Sequence, residues 1–318
     1  MKNNLWPDVV GQDLAKRKLA FLLEGFKASQ ILPHLMFIAP KGCGKTTMAK
    51  AMGRNLTAQG ETEPKTFLEI NCSTIKNVKQ FINNLMIPHV HRKDCTVLFD
   101  EASELPKDVT MAMLTMLNPN KDNRTTFSYE DYELDINFRQ QTFMFATTEA
   151  HQIFHALMDR CDRIDMEEYS YSHLGEIVCR QLDGVKFDED VLLDIASVLR
   201  GNARAAQKMA TNIKSYLAAR KKDDLPFGKD DWDKLKYHLG ILPLGLSRIE
   251  VQVLEHLRKK AECSLTNIAA ATGLTVQCIR QDFEMYLQKQ GLMQITTKAR
   301  SLTNEGHKYL KALEGSEK

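Results

Sequence analysis

The chain has 318 residues, 43% of them hydrophobic and 26% charged, with a formal net charge of +2. That balance excludes a disordered or fibrous protein, and the length accommodates two or three domains, each with its own core. No apolar run approaches the roughly 18 residues of a membrane-spanning helix, and the start, MKNNLWPDVVGQ, lacks the apolar stretch and cleavage site of a signal peptide.

Along the chain, Leu14, Leu19, Leu22, Leu23 and Phe26 recur at helical spacing, which predicts a helix over 11–28. HLMFIAP then reads as a short buried strand, followed by a glycine loop and a helix beginning TTMAKAMGRNL. TFLEIN (66–71) and CTVLFD (95–100) are further buried-strand candidates, with a helical stretch around 75–86 between them. DVTMAMLTML is an apolar helix, and QTFMFATT (141–148) is another strand. Strands alternating with helices predict a parallel sheet covered by helices on both faces. Phe127 and Tyr129, then Tyr132, Leu134, Ile136 and Phe138, alternate about Glu130-Asp131, which predicts a hairpin near 124–138 projecting from that sheet. From about residue 170 the patterns are helical, with a charged break at RKKDDLPFGKDD and one more helix, DDWDKLKYHL. After GILPLGLS a third unit begins. The predicted domains are therefore 1–169, an α/β core; 170–242, an all-α lid; and 243–318. The seven cysteines are scattered singly, without a C-x-x-C pair, which points to reduced thiols and a cytoplasmic protein. His89 and His91 lack the accompanying ligands of a metal site and are expected to be loop or surface residues.

FIAPKGCGKTTMAK, residues 37–50, carries most of the chemistry. It matches the P-loop pattern G-x-x-x-x-G-K-[ST] except that Ala39 replaces the first glycine. Such a loop works because backbone N–H groups at a helix N-terminus face phosphate oxygens. The expected nucleotide-binding residues are Gly42, Cys43, Gly44, Lys45, Thr46 and Thr47, with Lys45 reaching the β- and γ-phosphates and Thr46 binding Mg²⁺. A methyl at position 39 is tolerable if the backbone keeps negative φ. Lys41 adds a positive charge that either meets the phosphates or is solvated. The strand TVLFDEAS ends in Asp100-Glu101, where the aspartate can position Mg²⁺ and the glutamate can activate the attacking water. ATP and Mg²⁺ are the expected cofactors.

Further segments resemble AAA+ ATPases. FATT resembles sensor 1, which implies Thr148, with Thr147 as its neighbour. LMDRCDRI resembles the arginine-finger segment, implying that Arg160 completes a neighbouring subunit's site, and GNAR resembles sensor 2, implying that Arg204 reaches the γ-phosphate. DVVGQDLAKRKL resembles the adenine-side segment, implying Val10 and Gly11. Over nearly the whole chain the order and spacing resemble the RuvB family of AAA+ motors, which migrate Holliday junctions. That resemblance implies a P-loop AAA+ core, an all-α lid and a winged helix, assembled as a homo-oligomeric, hexameric ring on duplex DNA. It also implies docking of a RuvA-like junction-binding partner by the hairpin, although its tip, SYEDY, is acidic and aromatic. Other departures are A-P-K-G for the family's G-P-P-G, D-R-C-D for D-R-F-G, and an absent or shortened L-R-P lead-in.

In the third unit, Ala269, Gly273 and Ile279 have helix-turn-helix spacing, Thr275 is placed to cap the second helix, and GLMQITTKARSLT reads as a wing. This unit carries 11 Lys or Arg against 8 Asp or Glu, so it is mildly basic, and a winged helix of that kind meets either protein or DNA. The resemblance implies DNA, with Lys298 and Arg300 as phosphate contacts that position without reading sequence. Gln277, Arg280 and Gln281 are the alternative, base-reading candidates. The rival functions are a AAA+ initiator or loader of origin-recognition type, a clamp-loader subunit, and an inactive ring subunit.

Overall fold

The computed structural model describes residues 5–118, 120–220, 226–296 and 299–316. Its central sheet is built from β1 (His34–Ile38), β2 (Thr66–Asn71), β3 (Cys95–Asp100), β6 (Gln141–Thr147) and β7 (Cys161–Asp165), all parallel, in the order β2-β3-β6-β1-β7. Strand alternation sends successive side chains to opposite faces. Met36, Val97, Phe99, Phe143 and Phe145 enter one hydrophobic cluster, and Leu35, Phe37, Leu98, Met144 and Ala146 enter the other. With apolar clusters on both faces, the three central strands read as unbroken apolar runs.

The flanking strands depart from the sequence reading. β2 is partly exposed along its length because the strand order leaves it at an edge, so it is not the buried strand expected. β7 occupies the other edge, and its polar sequence CDRID gave no apolar run to detect. The helix expected around 75–86 starts at α3 (Val78–Phe81), capped by the Asn77 side chain, and widens into a π-helical stretch, Ile82–Val90. Pro88 lies inside that stretch, where it lacks the N–H an α-helical ladder would need.

Helices α1 (Asp13–Ser29), α2 (Lys45–Gly53), α4 (Lys107–Met116) and α5 (His155–Met158) connect the strands. The hairpin forms as predicted, from β4 (Arg124–Tyr129) and β5 (Tyr132–Asn137), with Tyr129 opposite Tyr132 and Glu130 at a φ of 49° in the turn. Leu134 and Ile136 on its inner face are buried and join the core cluster, so the hairpin is anchored along one face. Its outer face is polar and exposed.

By their contacts the described residues form two compact units. One runs to Lys186 and resumes at Gly201, and the other takes Phe187–Arg200 and the chain from Pro226 onward. The predicted lid is therefore divided between them. Helices α6 (Tyr171–Gln181) and α8 (Ala203–Arg220) pack together in the first unit, where the Ala203 N–H donates to Gly42 O at 2.9 Å. In the second unit, α7 (Glu189–Ser197) and α9 (Lys229–Leu239) join the winged helix.

That winged helix comprises α10 (Arg248–Lys259), α11 (Leu265–Thr272), α12 (Val276–Cys278) continuing through a π-helical turn into α13 (Met285–Lys289), the antiparallel wing β8 (Met293–Ile295) and β9 (Arg300–Leu302), and α14 (Asn304–Ser316). Thr275 caps α12 as expected, its hydroxyl accepting from the Cys278 N–H at 3.2 Å. Arg200, at a φ of 54°, donates to both oxygens of the fully buried Glu250 and stacks 4.1 Å from the Tyr286 ring centroid.

Candidate functional site

The strand order explains where the site lies. β1 is flanked by β6 and β7, and β3 is on the far side of β6, so the loop after β1 rises beside the carboxyl ends of β3 and β6. Open α/β sheets place ligands at such positions. There one pocket is lined by Lys41, Gly42, Gly44, Lys45, Thr46, Thr47, Asp100, Glu101, Thr147, Thr148, Ala203, Arg204 and Gln207.

Two glycines shape its floor. Gly42 and Gly44 have φ of 80° and 86°, a region open to glycine and closed to most side chains. A Cβ on Gly42 would stand 2.1 Å from Asn202 Oδ1, and one on Gly44 would stand 2.6 Å from the Tyr169 hydroxyl. Ala39 is not among the residues with positive φ, so its methyl sits without backbone strain, buried at the strand end.

Lys45 is 9% exposed and donates to Ala39 O at 2.8 Å and Pro40 O at 3.2 Å. Burial lowers its pKa; Cys43, Asp100 and Glu101 oppose that shift, and Arg204 adds to it. The Thr46 hydroxyl donates to Asp100 Oδ2 at 2.9 Å, and the Glu101 N–H donates to Asp100 Oδ1 at 3.0 Å. A threonine hydroxyl and a carboxylate in contact are the hard oxygen donors that suit Mg²⁺. Glu101 adopts a left-handed φ of 56°, a strained conformation of the kind that collects at functional positions.

Thr147 and Thr148, at the end of β6, have different surroundings. Thr147 is fully buried, donates to Ser103 Oγ at 3.3 Å and accepts from the Glu149 N–H at 2.9 Å. Thr148 is exposed at the pocket. Arg204 lies on the first turn of α8, held by Asn202, whose Oδ1 accepts from the Arg204 N–H at 2.9 Å and the Ala205 N–H at 3.2 Å.

Two predicted groups lie away from this pocket. Val10 is buried and Gly11 has a φ of 54°, where a Cβ would meet the His173 ring at 2.7 Å. Beside them Gln12 donates to Glu167 O at 2.6 Å and Cys43 O at 3.4 Å, and accepts from the Glu167 N–H at 3.0 Å. Arg160 donates from Nη1 to Ala156 O at 2.7 Å, while its buried Nε has no hydrogen-bond partner among the described residues and its side chain does not line the pocket. Gln12, Tyr169, Asn202, Ser103 and Gln207 were absent from the sequence reading. Gln12, Ser103 and Asn202 lie inside segments read as motifs, whereas Tyr169 and Gln207 lie outside them; what marks all five is which elements the fold brings to the loop.

In the winged helix one predicted contact has a partner within the chain. Arg300 donates from Nε to Glu284 Oε1 at 2.6 Å, with the side chains 15% and 5% exposed. This ion pair staples the wing to the preceding helix and gives the predicted phosphate contact a carboxylate partner within the chain. Lys298, the other predicted contact, lies outside the described residues. Gln277, Arg280 and Gln281 are exposed.

Comparison with known proteins agrees with this architecture. The profile for the ATPase family associated with various cellular activities (AAA) matches residues 35–169, and that for the RuvB C-terminal winged helix domain matches residues 243–311. The Holliday junction branch migration complex subunit RuvB of Fervidobacterium nodosum is 22% identical over 315 residues, covering 95% of this chain and 86% of that protein. Its counterpart from Wolbachia sp. subsp. Drosophila simulans is 24% identical over 313 residues, covering 95% and 92%. Among solved structures, the Thermotoga maritima RuvB Holliday junction branch migration motor superposes with a TM-score of 0.75 at 22% identity, covering 96% of this chain and 98% of that one. An AAA match followed by a RuvB winged-helix match, on a chain whose alignments span 86% and 92% of these two proteins, identifies an AAA ATPase core joined to a RuvB-type winged helix and makes the chain similar to RuvB over nearly its whole length.

Proposed function

We infer that the chain is an ATP-driven DNA motor of the RuvB type, which hydrolyses ATP to move duplex DNA and migrate Holliday junctions. The observation that carries this reading is the Thr46–Asp100 contact in one pocket with Lys45 and Arg204, on a chain that also carries a RuvB winged helix.

In this reading the Gly42–Thr47 backbone and Lys45 hold the phosphate chain. Thr46 and Asp100 would hold Mg²⁺, which supplies charge neutralisation at the phosphates when bound. Glu101 orients and deprotonates the attacking water, a role its exposed side chain at the end of β3 permits. Thr148 positions that water, and Thr147 braces the strand end through Ser103. Arg204 approaches the γ-phosphate from α8, while Val10 and Gly11 border the base. Arg160 enters the site of a neighbouring subunit in a hexameric ring, consistent with its place outside its own chain's pocket.

Among the described residues no helix is long and apolar enough to cross a membrane, and a cytoplasmic setting fits the reduced thiols of all seven cysteines. Of the two predicted wing contacts, the DNA role falls to Lys298. The polar outer face of the β4–β5 hairpin is the surface for a RuvA-like partner.

A four-way junction with ATP tests the reading. The wild type is expected to migrate the junction and to hydrolyse ATP faster on DNA. Glu101→Gln should retain ATP binding while losing at least about 100-fold in turnover, roughly 2.7 kcal/mol of barrier. Junction-independent turnover, or unchanged turnover in Glu101→Gln, would sink it.

A further inference from the structure

Lys41 is the residue of the loop that a P-loop does not require. It is exposed, lines the same pocket as Lys45 and Arg204, and has no hydrogen bond or ion pair among the described residues. Its backbone is pinned on both sides. Pro40 before it has a restricted φ, and Gly42 after it is turned to a φ of 80° against Asn202.

The distance from Lys41 to the phosphate-binding ammonium follows from this backbone. Lys45 Nζ lies 3.2 Å from Pro40 O. In a trans peptide that oxygen is about 2.8 Å from the next Cα, so the Lys41 Cα lies within about 6 Å of Lys45 Nζ. A lysine's four-carbon stem spans about that distance, and its three donors rotate freely. Lys41 precedes the N–H groups at the start of α2 and shares the pocket with Glu101 and Thr148, where the end of a phosphate chain would lie.

The charges of the pocket give Lys41 a task. Asp100 and Glu101 oppose Lys41, Lys45 and Arg204 there. Once a divalent cation occupies the Thr46–Asp100 pair, the carboxylates are largely answered, and three cations face the phosphates. A triphosphate carries one more negative charge than a diphosphate, and that charge sits on the terminal group.

We propose that Lys41 is a specificity-determining residue that contacts the terminal phosphate of a nucleoside triphosphate from within the same chain and favours triphosphate over diphosphate. The proposal rests on the site assigned above. Because Lys41 is exposed, water and salt weaken its pull, and the expected effect is about fivefold, the scale of an exposed charge pair.

The test compares the dissociation constants of Mg·ATP and Mg·ADP for the full-length protein, Lys41→Met and Lys41→Arg, measured by calorimetry at low salt. Lys41→Met should weaken ATP about fivefold and leave ADP within about twofold, and Lys41→Arg should stay within about twofold of wild type for both. Thermal-shift curves with each nucleotide should report the same asymmetry without any turnover. An equal shift for both nucleotides, or none for either, overturns the proposal. Lys45→Ala separates the two ideas: it should lose both nucleotides, and normal binding of both would remove the site assignment together with the proposal.

Discussion

Lys45 and Arg300 are both cations that a motif places at a phosphate, and the fold gives them different neighbours. Lys45 donates to the Ala39 and Pro40 carbonyls, neutral acceptors, and among the described residues it is in no ion pair, so its charge is available to an anion. Arg300 donates from Nε to Glu284, a carboxylate whose side chain is 5% exposed and which already pairs with it. Pulling Arg300 toward DNA would strand a buried negative charge. The partner a cation finds in the folded chain decides whether it remains a binding group, and a local motif says little about that partner.

Breaking the second arrangement has the largest expected effect. Arg300→Ala leaves Glu284 buried and unpaired, which should destabilise the winged helix by about 3–5 kcal/mol. Thermal or denaturant unfolding of the full chain measures it, and replacing both residues by apolar ones should recover most of the loss. A phosphate contact would behave otherwise: stability would hold, and the salt slope of DNA binding would drop by about one.

His34 extends the comparison to a base with no carboxylate against it. It is buried edge-on to the Phe138 and Phe143 rings, and its Nδ1 has no hydrogen-bond partner among the described residues. Burial pushes its pKa from the ordinary 6.5 to about 4, against the Leu117 backbone hydrogen bond that favours the charged form. The folded chain therefore keeps His34 neutral at pH values where the unfolded chain is already protonated. Stability fully present above pH 6.5 should fall as the pH drops toward 4, by about 3 kcal/mol in all. Chemical unfolding across that window, compared with His34→Phe, isolates this contribution. Parallel acid limbs in the two proteins would show that His34 is not its source.

The same contrast explains how much could be read from the sequence. β1, β3 and β6 were legible because both faces of these strands are buried, and their apolar runs say so. Residues such as Thr46 and Asp100 were legible because a loop after one strand and the end of another meet whenever the strand order is of this type. β7 was not, since an edge strand needs no apolar run. Tyr169 was not, and Asn202, though inside GNAR, carried no sign of its role, because both reach Gly42 and Gly44 through packing of distant segments. The partner of Arg300 was not legible for a related reason: Glu284 lies on another element, and nothing local marks it as a partner.

The smallest effect is expected at the residue that first distinguishes this loop from the common pattern. Ala39 contributes its carbonyl to Lys45, and its backbone N–H approaches Thr147 O at 3.4 Å; both interactions are independent of the side chain. Its methyl lies in the cluster under α1 and α2. Ala39→Gly would remove that buried methyl and loosen the unfolded chain, costing about 0.5–1 kcal/mol of stability. Because φ is not positive here, glycine offers the loop no conformation that alanine denies it. Turnover on DNA should stay within about tenfold of wild type, less than about 1.4 kcal/mol of barrier. A larger gain would mean that the methyl holds the Lys45 carbonyls in a less active arrangement, and the Lys45 side of the comparison would then need a steric account in place of an electrostatic one.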